Sequence, residues 1–143
     1  MVQIIVGKKG KGKTKVLINK ANEDLAKLNG NIVYLDKSTK QMFELSNKIR
    51  LINVTDYFVE SADNFIGFVC GLVSQDHDLE KIYLDSFLKL ACITEASDSS
   101  EIATIIAKLH KISDAFKVDF VLSVSMDESE LPESVKSDVV VSL

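Results

Sequence analysis

The sequence predicts an α/β fold with a mainly parallel sheet, and three observations support this prediction. Short apolar runs with the character of buried strands alternate with segments whose apolar residues recur at helical spacing. The chain has 143 residues, which fits a single domain over residues 1–143 with one hydrophobic core. Apolar residues make up 46% and charged residues 27%, as in ordinary globular proteins. We therefore expect three layers, with helices on both faces of a five-stranded sheet.

The first two strands flank a helix. Residues 2–6 are an apolar run that ends at a glycine, which is typical of a buried strand. Apolar residues then fall at helical spacing over residues 14–28, and we expect Gly30 to end this helix. Residues 32–35 form the second strand, and residues 38–47 are expected to be helical.

The second half of the chain continues the alternation. Residues 50–54 are compatible with a further short strand that the expected count of five does not include. Residues 61–74 form an apolar helix whose two glycines, four apart, are expected to allow close packing. Asp98 with an acid three residues later is a helix-start signal for a long amphipathic helix. The remaining strands are expected at residues 81–84, 118–124 and 139–143.

Charge and cysteine content narrow the setting. The net charge of −4 gives no indication of a nucleic-acid-binding protein, yet six lysines lie between residues 8 and 20 and favour a local anion site. The longest apolar run, residues 65–73, is too short to span a membrane. Cys70 and Cys92 fall in apolar helical patterns, so we interpret them as reduced core residues of a cytoplasmic protein.

One motif carries most of the functional information. Residues 7–14 read G-K-K-G-K-G-K-T and match the pattern G-x-x-x-x-G-K-[ST]. Glycines let the backbone turn its N–H groups around a phosphate, and the helix that follows directs its positive end at the same anion. Lys13 is expected to reach the β- and γ-phosphates, and the Thr14 hydroxyl to bind Mg²⁺. The expected nucleotide-binding residues are Gly7, Lys8, Lys9, Gly10, Lys11, Gly12, Lys13, Thr14 and Lys15.

In this strand–octet–helix setting the sequence resembles the P-loop nucleoside-triphosphatase family. The resemblance implies a three-layer fold that binds ATP and Mg²⁺. The family places an aspartate at the end of an apolar strand, where it holds Mg²⁺ through water; Asp85 fits that position, although it also fits a helix cap. Many members that hydrolyse the nucleotide have a glutamate next, and this chain has Ser86.

The chain also resembles the RecA-like branch of that family, as a minimal core. That branch carries its catalytic acid at the end of the strand after the P-loop helix, and Asp36 lies there, 23 residues beyond Lys13. The resemblance implies that Asp36 orients or activates the attacking water. A helix cap or a turn residue before Lys37 and Ser38 is the other interpretation of Asp36. Ser125 lies near the branch's γ-phosphate sensor position.

Two other branches compete with the RecA-like one. Lys8 follows the first glycine, as in the deviant Walker A ATPases, but Lys9 stands where those proteins carry glycine. Small-molecule kinases of the P-loop class come third, because they normally carry a lid rich in arginine. The order of strands separates the branches. In the RecA-like order another strand lies between the P-loop strand and the strand that ends at Asp85, whereas in the other two branches these strands are adjacent.

The sequence thus predicts a MgATP-binding protein that hydrolyses the γ-phosphate slowly and acts with a protein partner or as a homo-oligomer. Arg50 is the one arginine against 16 lysines, and its role is left open, so an arginine finger is not evident. The alternatives are a nucleotide-binding switch without hydrolysis, a deviant Walker A-type ATPase, and a structural protein that keeps only an anion site.

Overall fold

The computed structural model describes residues 1–94 and 97–143, and six strands form one sheet within them. The strands, β1 to β6 in chain order, are Val2–Val6, Asn31–Asp36, Arg50–Asn53, Leu79–Leu84, Asp119–Val124 and Val139–Ser142. The helices, α1 to α4, are Lys13–Lys27, Ala62–Gln75, Phe87–Leu90 and Ser99–Phe116. Short 3-10 turns follow β3 and β5, at Val54–Tyr57, Glu128–Glu130 and Glu133–Asp138.

Strand order supports the RecA-like expectation. The order across the sheet is β3-β2-β4-β5-β1-β6, and every neighbouring pair is parallel. Strand β5 therefore lies between β1, which leads into the octet, and β4, which leads to Asp85. This order disfavours the deviant Walker A and kinase alternatives, in which those two strands are adjacent. Because all strands run the same way, their carboxyl ends share one edge of the sheet.

The expected count of five strands is wrong. Strand β3 pairs in parallel with β2, with Arg50 opposite Val33 and Asn53 opposite Asp36. It is a four-residue edge strand in which only Ile52 is buried. A strand this short and this exposed leaves little apolar periodicity in the sequence, which explains why its prediction was left open.

Helices cover both faces of the sheet, as expected for three layers. On one face, side chains such as Ile4, Leu35 and Leu122 form a buried cluster with residues of α2 and α4. On the other face, Ile5 and Tyr34 form a second cluster with residues of α1. Successive residues of a strand point to opposite faces, so each strand contributes to both clusters.

The helix expected over residues 38–47 is absent, and turns occupy this segment. The side chain of Asn22 on α1 explains the difference. Its Nδ2 donates to the Glu44 carbonyl at 3.0 Å, and its Oδ1 accepts from the Ser46 N–H at 2.9 Å. These bonds, together with the buried Leu45 and Ile49 side chains, fold the segment against α1. Tertiary contacts thus override local helix propensity here.

The glycines act differently from expectation at three positions. Helix α1 ends before Gly30, which is needed for a close approach: an added Cβ would lie 2.2 Å from the carbonyl oxygen of Asp78. Gly67 and Gly71 on α2 do not mediate close packing, because an added Cβ at either would have no neighbour within 4 Å among the described residues. They lie on the exposed face of that helix.

Two further expectations concern the membrane and the cysteines. Among the described helices, none has both the length and the apolar character that a membrane crossing requires. Cys70 and Cys92 are both free thiols. Cys70 is exposed rather than part of the core, and Cys92 is half-buried, so the expectation that both belong to the core is wrong.

Candidate functional site

The octet forms a loop between β1 and α1 at the carboxyl edge of the sheet. Gly10 and Gly12 have φ angles of 86° and 89°, which side chains with a Cβ rarely adopt. Gly12 occupies the N-cap position of α1, so the loop leads directly into the first turn of a 15-residue helix. The unpaired N–H groups of that turn and the helix dipole favour an anion at this place. The Gly7 N–H donates to the Met126 carbonyl at 3.1 Å, which anchors the start of the loop.

Lysines of the octet divide into one buried and several exposed side chains. Lys13 is only 7% exposed, and its Nζ donates to the carbonyl of Lys8 at 3.1 Å. Burial lowers the pKa of Lys13, and the charge of Asp85 partly opposes this effect. A buried ammonium group that bonds to its own loop keeps two donors for a ligand. The other lysines of the segment are exposed: Lys8, Lys9, Lys11 and Lys15.

Asp85 stands at the end of β4 and accepts three hydrogen bonds. Its Oδ1 accepts from the hydroxyls of Thr14 at 3.2 Å and Ser123 at 2.7 Å, and its Oδ2 accepts from the hydroxyl of Tyr34 at 2.9 Å. The residue is 3% exposed. Thr14 and Ser123 lie 71 and 38 positions from Asp85 in the sequence. They meet at its carboxylate because the ends of the parallel strands and the start of α1 lie at the same edge of the sheet.

The oxygen atoms of Thr14 and Asp85 fit a magnesium ion shared with phosphates. Mg²⁺ prefers oxygen ligands and usually takes only one or two from protein, leaving the rest to water and phosphate. No cluster of three or more His, Cys, Asp or Glu side chains suited to a metal occurs in residues 1–94 and 97–143.

Asp36 ends β2, the strand next to β4. It is 4% exposed, and its Oδ1 accepts from the N–H of Lys37 at 2.7 Å. Burial raises the pKa of Asp36 to about 6; the Lys37 N–H opposes this rise, and the negative charge of Asp85 adds to it. Two acids at the ends of adjacent strands therefore share one edge of the sheet, and the charge of Asp85 disfavours ionisation of Asp36.

Two hydroxyl residues support Asp85 in ways that the sequence did not reveal. Ser123 is buried, donates to Asp85 and accepts from the N–H of Ser86 at 2.8 Å. Burial, and then the Asp85 carboxylate, raise the pKa of Tyr34 far above its usual value, so its hydroxyl stays a donor. A polar group inside an apolar strand was the available signal at both positions. Ser125, which the sequence left open between a γ-phosphate sensor and an exposed serine at a strand end, is exposed.

Arg50 lies away from this site. It begins β3 and is opposite Val33, whereas the end of β3 is opposite Asp36. Strands rise about 3.3 Å per residue, so three residues place Arg50 about 10 Å from the edge that carries the acids. Its side chain is exposed.

A cavity of about 1150 Å³ lies at this edge of the sheet, and Asp36, Tyr34 and Arg50 are not among its described lining residues. Its wall includes the octet, Asp85 and Ser123, and it continues beside α3 to the start of α4. Pockets for small-molecule ligands and cofactors typically occupy about 300–1000 Å³. The cavity therefore has room for a nucleotide's phosphates and for further groups beside them.

Comparison with known proteins agrees with the fold. The structure is similar to the crystal structure of the flagellar accessory protein FlaH from Methanocaldococcus jannaschii, with a TM-score of 0.57 and 20% sequence identity. The match covers 95% of this chain and 65% of that chain. At this identity the likeness shows a common α/β fold. No protein-family model matches the sequence, and a search of curated proteins finds no match.

Proposed function

We propose that this chain binds MgATP at the octet and hydrolyses its γ-phosphate slowly. One observation carries the proposal: the octet forms a loop with two left-handed glycines that opens a helix and places Thr14 3.2 Å from Asp85. Glycine-rich backbone, a helix N-terminus, a buried lysine and a pair of oxygen ligands are the groups that a triphosphate with Mg²⁺ requires. The likeness to FlaH supports this proposal at the level of the fold alone.

Each residue has a defined task in the proposed site. The backbone N–H groups of residues 7–15 surround the phosphates, and Lys13 contacts the β- and γ-phosphates. Thr14 coordinates the metal, and Asp85 holds it through water. When bound, Mg²⁺ neutralises charge on the β- and γ-phosphate oxygens. Ser123 and Tyr34 hold the Asp85 carboxylate in one orientation through the hydrogen bonds they donate.

Asp36 is the proposed acceptor of the water proton. A water oxygen bonds to the γ-phosphorus while the bond to the β–γ bridging oxygen breaks, and ADP leaves with that electron pair. The proton of the water passes to the Asp36 carboxylate. With its pKa near 6, Asp36 is largely ionised at pH 7 and is a stronger base than an ordinary aspartate.

A switch module that binds nucleotide without hydrolysis is the second candidate. The observation that favours it is the engagement of Asp36: one carboxylate oxygen already accepts from the adjacent Lys37 N–H. Ser86 also stands where many hydrolysing P-loop proteins carry glutamate. Partner proteins or further copies of the chain would then read the nucleotide state. If the chain does hydrolyse ATP, the position of Arg50 away from the site makes slow turnover the expectation for the isolated chain.

The test measures binding of ATP and ADP, with Mg²⁺, by calorimetry for the wild type and for Lys13→Ala. Loss of a charge-assisted contact should weaken binding by about 10- to 100-fold. Lys27→Ala is the matched control, because Lys27 is exposed at the far end of the same helix. It should bind as the wild type does. Single-turnover hydrolysis then separates the ATPase from the switch.

Equal affinity of Lys13→Ala and wild type would contradict the proposal and would mean that the octet is only a basic turn. Tight binding without phosphate release would favour the switch module. Circular dichroism on each variant establishes that a loss of binding is not a loss of folding.

A further inference from the structure

The cavity has a second group of lysines that the proposed site does not use. Lys37 follows Asp36 beyond the end of β2, and Lys89 lies on α3, four residues after Asp85. Both line the same cavity as Lys9 and Lys13 of the octet. Two chain segments outside the octet therefore bring positive charge to the carboxyl edge of the sheet.

Lys37 and Lys89 line the same cavity. The amine of Lys89, and then burial, hold the pKa of Lys37 below its usual value, and the charge of Lys9 adds to this effect. Within residues 1–94 and 97–143, neither lysine forms an ion pair with an acid. Two ammonium groups in one cavity repel each other, so an anion between them would relieve the repulsion.

Three acids line the described part of the cavity, namely Asp85, Asp98 and Glu130, and none of them forms an ion pair with Lys37 or Lys89. Glu130 is exposed, and the other two have hydrogen-bond partners of their own. Asp85 accepts hydrogen bonds from three hydroxyls, and Asp98 caps the N-terminus of α4 through the N–H groups of Ser100 and Glu101. Asp36 is close enough to favour the charged form of Lys37, but its Oδ1 accepts from that residue's own N–H. An anionic ligand could therefore neutralise the positive charge of Lys37 and Lys89.

We propose that Lys37 and Lys89 bind the terminal phosphate of the nucleotide from within the same chain, opposite the octet. This inference rests on the proposed function. A triphosphate held by the octet has its terminal group nearest to the metal oxygens of Thr14 and Asp85, and the lysine pair lines the cavity beside Asp85. The pair supplies the positive charge that an arginine finger supplies in other nucleoside triphosphatases. Each lysine acts as a point charge without the fork geometry of arginine.

The position of the sole arginine strengthens this assignment. Arg50 begins β3, about 10 Å from the edge at which β2 ends, so it does not line the cavity from within the same chain. Lys37 and Lys89 are the cavity-lining cations outside the octet among the described residues.

The experiment compares ATP with ADP, because these ligands differ by the terminal phosphate alone. Dissociation constants are measured with Mg²⁺ for the wild type and for the double variant Lys37→Ala/Lys89→Ala. We expect the double variant to lose at least tenfold in affinity for ATP while its affinity for ADP stays within twofold. The control double variant Lys27→Ala/Lys111→Ala removes the same charge from exposed positions on α1 and α4 and should keep both affinities.

Each outcome decides between the two proposals. Wild type that binds neither nucleotide overturns the proposed function and this inference with it. If the wild type binds both nucleotides and the double variant has the same ratio of ATP affinity to ADP affinity, this inference alone is overturned. An equal loss for ATP and ADP also overturns it, because the pair would then contact another part of the ligand. Lys37→Arg/Lys89→Arg, which keeps the charges, should restore the preference for ATP.

Discussion

The two halves of the site are built in different ways. The phosphate half, residues 7–15, is one continuous segment whose backbone angles follow from its glycines. The acidic half consists of single side chains at or next to the ends of different strands: Asp36 at the end of β2, Asp85 directly after β4, and Ser123 one residue before the end of β5. The first half depends on local sequence, whereas the second depends on the order and register of the sheet.

The two halves also differ in how they affect the stability of the fold. Apart from the Lys13 side chain, the phosphate half relies on backbone N–H groups, which lose little when side chains change. The acidic half places two carboxyl groups, each less than 5% exposed, at neighbouring strand ends. Asp36 is costly to ionise because of its burial and the neighbouring charge of Asp85, and such an arrangement is common at functional sites. Substitutions in the acidic half should therefore alter pH dependence, and those in the phosphate half should alter backbone strain.

The largest effect is expected from Asp36→Asn. The pKa of Asp36 is about 6 in the folded chain against an ordinary value of 3.8, so the folded state binds the proton more tightly. Stability therefore falls as pH rises from about 4 to about 6, and the full cost is present above that window. Asp36→Asn removes this cost and should raise the free energy of unfolding at pH 7 by up to about 3 kcal/mol. Urea unfolding of the wild type and the variant at a series of pH values measures this difference in the free energy of unfolding.

Asp114→Asn is the control, because Asp114 is exposed on α4. It should leave the pH dependence of unfolding unchanged. If Asp36 is instead a turn residue that stabilises the fold, Asp36→Asn would lower stability at pH 7. An increase in stability together with a loss of single-turnover hydrolysis would indicate a residue kept for chemistry at the expense of stability.

Sequence reasoning located both acids but not what holds them. Asp36 and Asp85 were identified because each ends an apolar strand, which a one-dimensional pattern shows directly. Tyr34 and Ser123 escaped notice because their roles depend on which strands are neighbours. The strand order β2-β4-β5 is a property of the folded sheet, and no motif in the chain encodes it.

The next effect in size concerns Asp85→Asn. The amide keeps the shape but loses the negative charge that attracts a water-coordinated Mg²⁺. We expect the Mg²⁺-dependent gain in ATP affinity to fall by about 10- to 100-fold, which is about 1.4–2.8 kcal/mol. Calorimetric titration of ATP with Mg²⁺ and with a chelator gives the gain as a ratio. ADP binding in the chelator serves as the internal control and should not change, and an equal loss there would show that Asp85 shapes the octet rather than the metal site.

The fold itself was predictable wherever apolar periodicity is strong, as in β1, α1 and α4. Prediction failed over residues 38–47, where Asn22 holds the chain in turns. The strand at residues 50–54 was left open and out of the count of five, because only Ile52 of β3 is buried. Gly30 was expected to end helix α1, but the helix ends before it. Glycine is needed at this position because the Asp78 carbonyl oxygen approaches too closely for a side chain. In each case a contact distant in sequence decided the outcome.

The smallest effect tests the phosphate half through its backbone. Gly12 has a φ of 89° and an added Cβ would meet no atom within 4 Å, so Gly12→Ala introduces strain without a clash. The left-handed conformation costs a residue with a Cβ about 1–2 kcal/mol, and we expect that loss in the free energy of unfolding, with weaker ADP binding. Gly67→Ala is the matched control, because Gly67 also has open space but lies within helix α2. There alanine should stabilise by about 0.5–1 kcal/mol, since it is the better helix former. The same chemical change should therefore have opposite signs at the two positions, and equal signs would mean that the loop relaxes and that its geometry is not fixed by its glycines.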